Sequence, residues 1–266
     1  MSTPENKRHT FVICAYKESP FLEECIQSLK KQTVKSEIIM ATATPNAFVR
    51  AMAEKYEIPL FVNIGETGIT QDWNFAYSQA DTDYVTIAHQ DDLYGKHYTE
   101  TLLKMTENVE KPLIFFTDYY ELRNGRIVKS NTLLRIKRFL LLPLRPRFAW
   151  ESRFIRRRVL SMGSSICCPS VAFARNNLPN PVFMNHFRTD EDWEAWERIS
   201  RLEGSFIYCR RPLVCHRIHE DSETTGAIKE TGRSAEDYEM FCKFWPDWIA
   251  KLLVKLYSKS EKSNTL

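Results

Sequence analysis

Two adjacent carboxylates, Asp91 and Asp92, close the run Tyr84-Val85-Thr86-Ile87-Ala88-His89-Gln90. The run is β-branched and apolar and predicts a buried strand. Two neighbouring acids at its end repel each other and lose hydration beside a core. A divalent cation offsets both costs, and magnesium is commonly held by one or two carboxylates together with substrate phosphates. In open α/β sheets, ligands sit at the carboxyl ends of strands. The residue types therefore point to a metal–phosphate site at Asp91 and Asp92. The plainer reading is a solvated loop whose acids cap a helix near residues 98–108.

Three further groups carry chemistry. Tyr16 and Glu18 follow the apolar run 10–15. At a strand's carboxyl end Tyr16 could stack on a nucleobase while Glu18 accepts a hydrogen bond from base or ribose; equally, Tyr16 packs in the core and Glu18 caps the next helix. Asp192 lies in the first turn of a segment where Trp193, Trp196 and Ile199 share a helical face. The helix macrodipole favours an anion there, and Thr189 with Asp192 also resembles a capping box. Finally, in Arg217-Ile218-His219 strand alternation puts Arg217 and His219 on one face and sends His216 to the other.

The elements that must position these groups alternate. Strands are predicted over 10–15, 37–43, 58–63, 84–90 and 113–117, with helices over 20–31, 46–56, 70–79 and 98–108. This βα alternation argues for a largely parallel sheet with helices on both faces. No GxGxxG follows the first strand and no GxxxxGK[ST] occurs, so a dinucleotide Rossmann site and a P-loop are poor fits. Asn124-Gly125 signals a hairpin within 119–129. Further strands are expected over 162–174, where Pro169 breaks the ladder, and over 205–210. Residues 222–231 read as a mobile loop. Pro246 splits 235–257 into two helices. In the second, Trp248, Ile249, Leu252, Leu253 and Leu256 form an apolar stripe with Lys251, Lys255 and Lys259 off it. That suits a membrane surface or packing on the protein. Beyond Ser258 disorder is expected.

At 266 residues the chain can bury a full core. Lys+Arg 37 against Asp+Glu 34 is nearly balanced, so bulk charge names no partner. The distribution is uneven. Arg126, Lys129, Arg135, Lys137, Arg138, Arg145, Arg147, Arg153, Arg156, Arg157 and Arg158 are opposed by Glu151 alone. This basic segment reads as a lid over phosphates, as a patch on anionic lipid, as a nucleic-acid surface, or as a solvated helical insert. No nucleic-acid module is recognisable, and none is expected. The 7 cysteines contain no CxxC pair. They imply a reducing, cytoplasmic setting. The polar first ten residues are not a signal peptide.

The segment 15–32 (AYKESPFLEECIQSLKKQ), then Asn74, Phe75, Ala76 and Asp83-Tyr84-Val85, then Ile87-Ala88-His89-Gln90-Asp91-Asp92-Leu93-Tyr94 resemble the inverting family 2 glycosyltransferases of GT-A fold. The likeness covers roughly the first 120 residues and resumes later. It implies an α/β, Rossmann-like, mostly parallel mixed sheet with helices on both faces, followed by a helical tail. The implied division is a catalytic domain over 1–232, with a nucleotide-sugar half (1–120), a basic insert (126–160) and an acceptor half (161–232), and then a tail over 233–266. Asp91 matches the last acid of the family's metal motif, although His89 stands at its first acid. The turn 41–46 lacks the usual acid, and Trp73 replaces an arginine before Asn74. The resemblance implies Asp192, after Glu191, as general base, and His219 as a further metal ligand. It implies Tyr16, Glu18, Trp73, Asn74, Asp92 and Arg217 as donor contacts, with Arg217 at the diphosphate. Mn2+ or Mg2+ and a UDP-sugar are the expected cofactor and donor. The expected acceptor is a saccharide or lipid-linked saccharide of surface-polysaccharide or lipopolysaccharide type, made at or near the inner membrane face. Two rivals stand. A sugar-phosphate nucleotidylyltransferase needs a glycine-rich loop that 15–20 lacks. A non-catalytic lipid or nucleic-acid binder using 126–158 leaves the acids without a purpose.

Overall fold

Runs of β-branched and aromatic residues build the first strands, as their composition predicts. The computed structural model describes residues 8–219 and 233–261. In it β1 (His9–Cys14), β2 (Glu37–Thr42), β3 (Leu60–Val62) and β4 (Tyr84–His89) lie parallel in the order β3-β2-β1-β4. Crossovers run through α1 (Leu22–Lys30), α2 (Ala47–Lys55) and α3 (Ile69–Ser78). The predicted periodicity of α1 is the observed one: Leu22, Cys25, Ile26 and Leu29 are buried. α2 starts where Asn46 Oδ1 accepts the Val49 N–H at 2.9 Å, an N-cap that satisfies one orphan donor.

The second half makes the sheet mixed. β5 (Leu93–Tyr94), α4 (Tyr98–Thr106), β6 (Pro112–Arg123), β7 (Arg126–Val128), β8 (Val171–Ala174) and β9 (Ser205–Ile218) extend the order to β4-β8-β6-β9-β5. β8 is antiparallel to both β4 and β6, and β9 is parallel to β6. β7 folds back on β6 through Asn124-Gly125, with φ of 48° and 74°, as a two-residue hairpin turn requires. Three expectations change in extent. Residues 113–117 and the first hairpin arm form one strand, β6. The strand expected over 162–174 shrinks to β8, because Cys168–Ser170 is a 3-10 turn around Pro169. The strand at 205–210 continues through Pro212, with its register shifting opposite Thr117–Tyr119.

The basic segment is built into the body. It comprises β7, α5 (Thr132–Leu140) and α6 (Arg153–Leu160), and it buries Leu134, Leu144, Trp150, Val159 and Leu160. Arg156 is itself buried, and its guanidinium donates to Gly204 O at 2.8 Å and Leu202 O at 2.7 Å. Arg138 donates to Lys129 O and Tyr119 O, both at 2.9 Å. Arg157 pairs with the buried Glu197. Arg138, Arg156 and Arg157 therefore serve internal acceptors, while Arg126, Lys129, Arg135, Arg145, Arg147 and Arg153 stay exposed.

α7 (Glu191–Ser200), α8 (Arg233–Cys242) and α9 (Asp247–Glu261) complete the chain. The expected apolar stripe of α9 divides. Ile249, Ala250 and Leu253 face the body, and the Tyr257 ring lies 6.0 Å from Trp193 and 5.7 Å from Phe241. Trp248, Leu252 and Leu256 remain exposed. The tail thus packs on α7 instead of standing apart. The loop expected over 222–231 lies outside the described residues, as does the chain end past Glu261; residues 258–261 continue α9. No described helix is long and apolar enough to cross a membrane.

This division of α9 sets adjacent leucines against each other. Leu253→Ala should cost about 2–4 kcal/mol, as for a truncated core leucine. Leu252→Ala should stay within about 0.5 kcal/mol. Urea unfolding midpoints measure both; similar losses would contradict the packing.

Candidate functional site

The exits of β1 and β4 lie side by side, with Cys14 opposite His89. Gln90 ties them together. Its Nε2 donates to Tyr16 O at 2.9 Å and its Oε1 accepts the Tyr16 N–H at 3.1 Å. The Tyr16 ring, 48% exposed, and the exposed Glu18 stand on the rim. The core-packed alternative for Tyr16 does not form.

At the β4 exit the two acids diverge. Asp92 is wholly buried. Its Oδ1 accepts the Arg217 N–H at 2.8 Å and lies 3.0 Å from His216 Nδ1. Asp91 is more open, and its Oδ2 lies 2.9 Å from His219 Nε2. Arg217 Nε donates to Asp91 O at 2.8 Å and its Nη2 to Glu24 Oε2 at 2.6 Å, while its guanidinium sits 4.1 Å above the Phe21 ring. Arg217, expected at the diphosphate, therefore braces the Asp91 turn. Asp92, expected at the donor, is committed to β9. Arg217 and His219 both reach Asp91, as their alternation suggests. His216 points the other way and finds Asp92. Sequence reasoning set it aside, because spacing along β9 does not reveal that neighbouring acids on another strand part to opposite sides. The antiparallel pairing of Leu93 with Cys215 fixes that register.

The electrostatics follow. Burial works against ionising Asp91, but the His219 hydrogen bond and the charges of His89 and His216 outweigh it, holding its pKa below the usual carboxylate value. Burial alone would lower the His216 pKa; the charge and hydrogen bond of Asp92 win and raise it. A cation fits beside this pair. Ligand atoms of His89, Asp91 and Asp92 lie within 4.8 Å of one another. His89 Nε2 is buried and has no hydrogen-bond partner among the described residues. Carboxylate oxygens suit Mg2+ or Mn2+, and an imidazole favours the transition metal of the two.

Trp73 and Asn74, expected at the donor, shape the wall. Trp73 stacks on His89, with ring centroids 5.3 Å and planes 26° apart, and meets Phe183 edge-on at 5.0 Å. The Asn74 amide is spent on Phe183, donating to its O at 2.8 Å and accepting its N–H at 3.1 Å.

Asp192 lies in the first turn of α7, whose N-cap is Asp190. The helix starts later than a cap at Thr189 would need. Thr189 Oγ1 donates instead to Glu236 Oε2 at 2.6 Å. The same carboxylate accepts the N–H groups of Arg188 at 3.0 Å, Thr189 at 2.8 Å and Asp190 at 3.2 Å. Sequence reasoning missed Glu236, since nothing local links α8 to this turn. Burial pushes the Cys168 thiol well up, with the Asp192 charge the next cause; for Cys167, Asp92 and Asp192 both add to burial, against Lys137. Among the site residues named from sequence, Tyr16, Glu18, Trp73, Asp91, Asp92, Arg217 and His219 gather at the β1–β4 exits, and Asp192 stands in the first turn of α7.

The sequence matches the family described as Glycosyl transferase family 2 over residues 10–177. Curated proteins yield no match. Among solved structures, the chain superposes on TarS 1–349 of S. aureus in complex with UDP-GlcNAc with a TM-score of 0.63, at 13% identity over 93% of this chain and 70% of that one. It also superposes on the mannosyltransferase PcManGT of Pyrobaculum calidifontis, in complex with GDP-Man and Mn2+, with a TM-score of 0.61, at 14% identity over 98% and 73% of the two chains. At such identity the likeness is one of fold.

Glu236 gives a pH-dependent prediction. Burial opposes its ionisation, but hydrogen bonds from Thr189 and the three backbone N–H groups prevail and lower its pKa. A lowered carboxylate pKa stabilises the fold above the unfolded value, and this is lost as pH falls through the folded value. Glu236→Gln should therefore cost about 1–2 kcal/mol at neutral pH, a charge-assisted hydrogen bond discounted for partial exposure. The difference from the parent should shrink on acidification. Thermal melts at neutral and acid pH measure it; a pH-independent difference would refute the assignment.

Proposed function

Because the chain belongs to glycosyl transferase family 2, we propose that it moves a sugar, with inversion and with a divalent cation, from a nucleotide-diphospho-sugar to a hydroxyl of a saccharide or lipid-linked saccharide. Glycosyl transfer itself follows from the family. The finer reading rests above all on Asp91, held outward by His219 and Arg217 at the shared exits of β1 and β4. The nucleotide sugars bound by TarS and PcManGT, and the Mn2+ of the latter, support the same donor class and a metal here.

Asp91, with His89 and His219 beside it, would hold Mn2+ or Mg2+. Such an ion supplies a Lewis acid for charge growing on a leaving diphosphate. Tyr16 stacks on the base, and Glu18 accepts from base or ribose; UDP is the reading for the nucleotide. Trp73 and Asn74 support this pocket through His89 and Phe183. Asp92 and Arg217 serve the donor by fixing the Asp91 turn. Asp192 takes the proton of the acceptor hydroxyl as that oxygen bonds to the anomeric carbon and the bond to the diphosphate breaks. The proton ends on the carboxylate, and the leaving group departs from the opposite face. Little of this is covalent to the protein, so positioning dominates. The acceptor class is that of surface-polysaccharide or lipopolysaccharide assembly. A nucleotidylyltransferase is disfavoured by the family match and by the glycine-free 15–20 turn.

Incubation with a panel of nucleotide sugars and Mn2+ should give slow donor hydrolysis for one of them; none across the panel would sink the reading. Asp192→Asn keeps size and should leave donor binding intact while transfer to the acceptor falls by about 10²–10⁴, the range for a lost general base. Asp91→Asn should instead abolish Mn2+-dependent nucleotide binding, read by calorimetry. If Asp192→Asn retains full turnover, the base lies elsewhere.

A further inference from the structure

The uncovered row of α9 is not isolated. Trp248, Leu252 and Leu256, exposed by 70%, 53% and 56%, recur at every fourth residue and so share one face. Lys251 and Lys255 lie beside that row, at the positions three before or after its members, and both are exposed. Phe154 of α6 is also exposed, by 72%. Arg158 links the two helices, its guanidinium 5.7 Å from the Phe154 ring and 4.9 Å from the Trp245 ring. Trp245 Nε1 in turn donates to Ser161 O at 2.7 Å, which pins the start of α9 to the end of α6. Arg153 and Arg158 pair with no carboxylate among the described residues. Asp247 pairs with Lys251 at 2.9 Å, and the pKa of Arg156, lowered by burial, is partly restored by the charge of the neighbouring Glu151.

From this arrangement we propose that the α6–α9 face docks on an anionic lipid bilayer. Large apolar side chains on one row, one of them tryptophan, suit the boundary between headgroups and acyl chains. The exposed Lys251 and Lys255 beside it, with the exposed Arg153 on α6, complement negative headgroups. The inner row of α9 already packs on Trp193 and Phe241 through Tyr257, so the helix lies along the protein surface and presents its outer row without unfolding. None of these side chains belongs to the sugar-transfer site, so donor hydrolysis serves as a control for the fold.

Sedimentation with mixed phosphatidylcholine–phosphatidylglycerol vesicles tests this, against vesicles of phosphatidylcholine alone. The full chain should bind the anionic vesicles more tightly, and added salt should weaken binding through screening. Replacing Trp248, Leu252 and Leu256 together by serine should lower the apparent lipid affinity at least about tenfold, with the melting temperature and donor hydrolysis unchanged. Phe154→Ser on α6 should weaken binding in the same direction. Lys251→Glu with Lys255→Glu should reduce binding to anionic vesicles and leave phosphatidylcholine unaffected. No binding by the parent at low salt, or undiminished binding by the triple variant, overturns the proposal. So does a parent that self-associates through this face, seen as a concentration-dependent mass lost in the triple variant without vesicle binding.

Discussion

A carboxylate shut away from water needs a compensating charge and hydrogen bonds, and Asp92 meets that need only through β9. The backbone N–H of Arg217 and the ring of His216 supply what burial removes. Breaking such a pair from one side leaves an uncompensated buried charge, which is far more costly than never having had it. The β4 exit, the short β5 and the end of β9 are therefore locked together. Asp91 takes its outward direction from that lock, with Arg217 on its carbonyl and His219 on its carboxylate.

The mixed topology makes the lock possible. A parallel sheet puts the exits of β1 and β4 at one edge, where Gln90 stitches them. Residues from the second half reach that edge because β9 runs parallel to β6 and then pairs antiparallel with β5. Side chains from Tyr16 to His219 thus converge from both halves of the chain. The bulge that carries β9 past Pro212 keeps the strand long enough to arrive there.

Charge is spent differently in the rest of the molecule. The basic segment uses Arg138, Arg156 and Arg157 to satisfy carbonyls and a buried glutamate, so its positive character is partly structural. Glu236 plays a matching part at the start of α7, where one carboxylate collects three backbone donors and a hydroxyl. The tail thereby becomes part of the scaffold that carries Asp192.

Periodicity and composition determined the βα alternation, the helix over 46–56 and the Asn124-Gly125 turn, because each depends on residues within a few positions of one another. They also determined that an acid pair ends the fourth strand and that another opens a helix after Thr189. The resemblance in residues 15–94 determined the fold class, which the structure shares. Tertiary structure alone decided which acid is buried and which is open, since both sit at one strand end and only β9 tells them apart. It alone brought in His216, Gln90 and Glu236, whose partners lie 46 to 124 residues away. It turned Arg217, Asp92 and Asn74 toward protein partners, because hydrogen-bond commitments depend on what is near in space. It also split the α9 stripe into a covered and an uncovered row: an apolar helical face is visible in sequence, but how much of it the body can reach depends on where α7 lies.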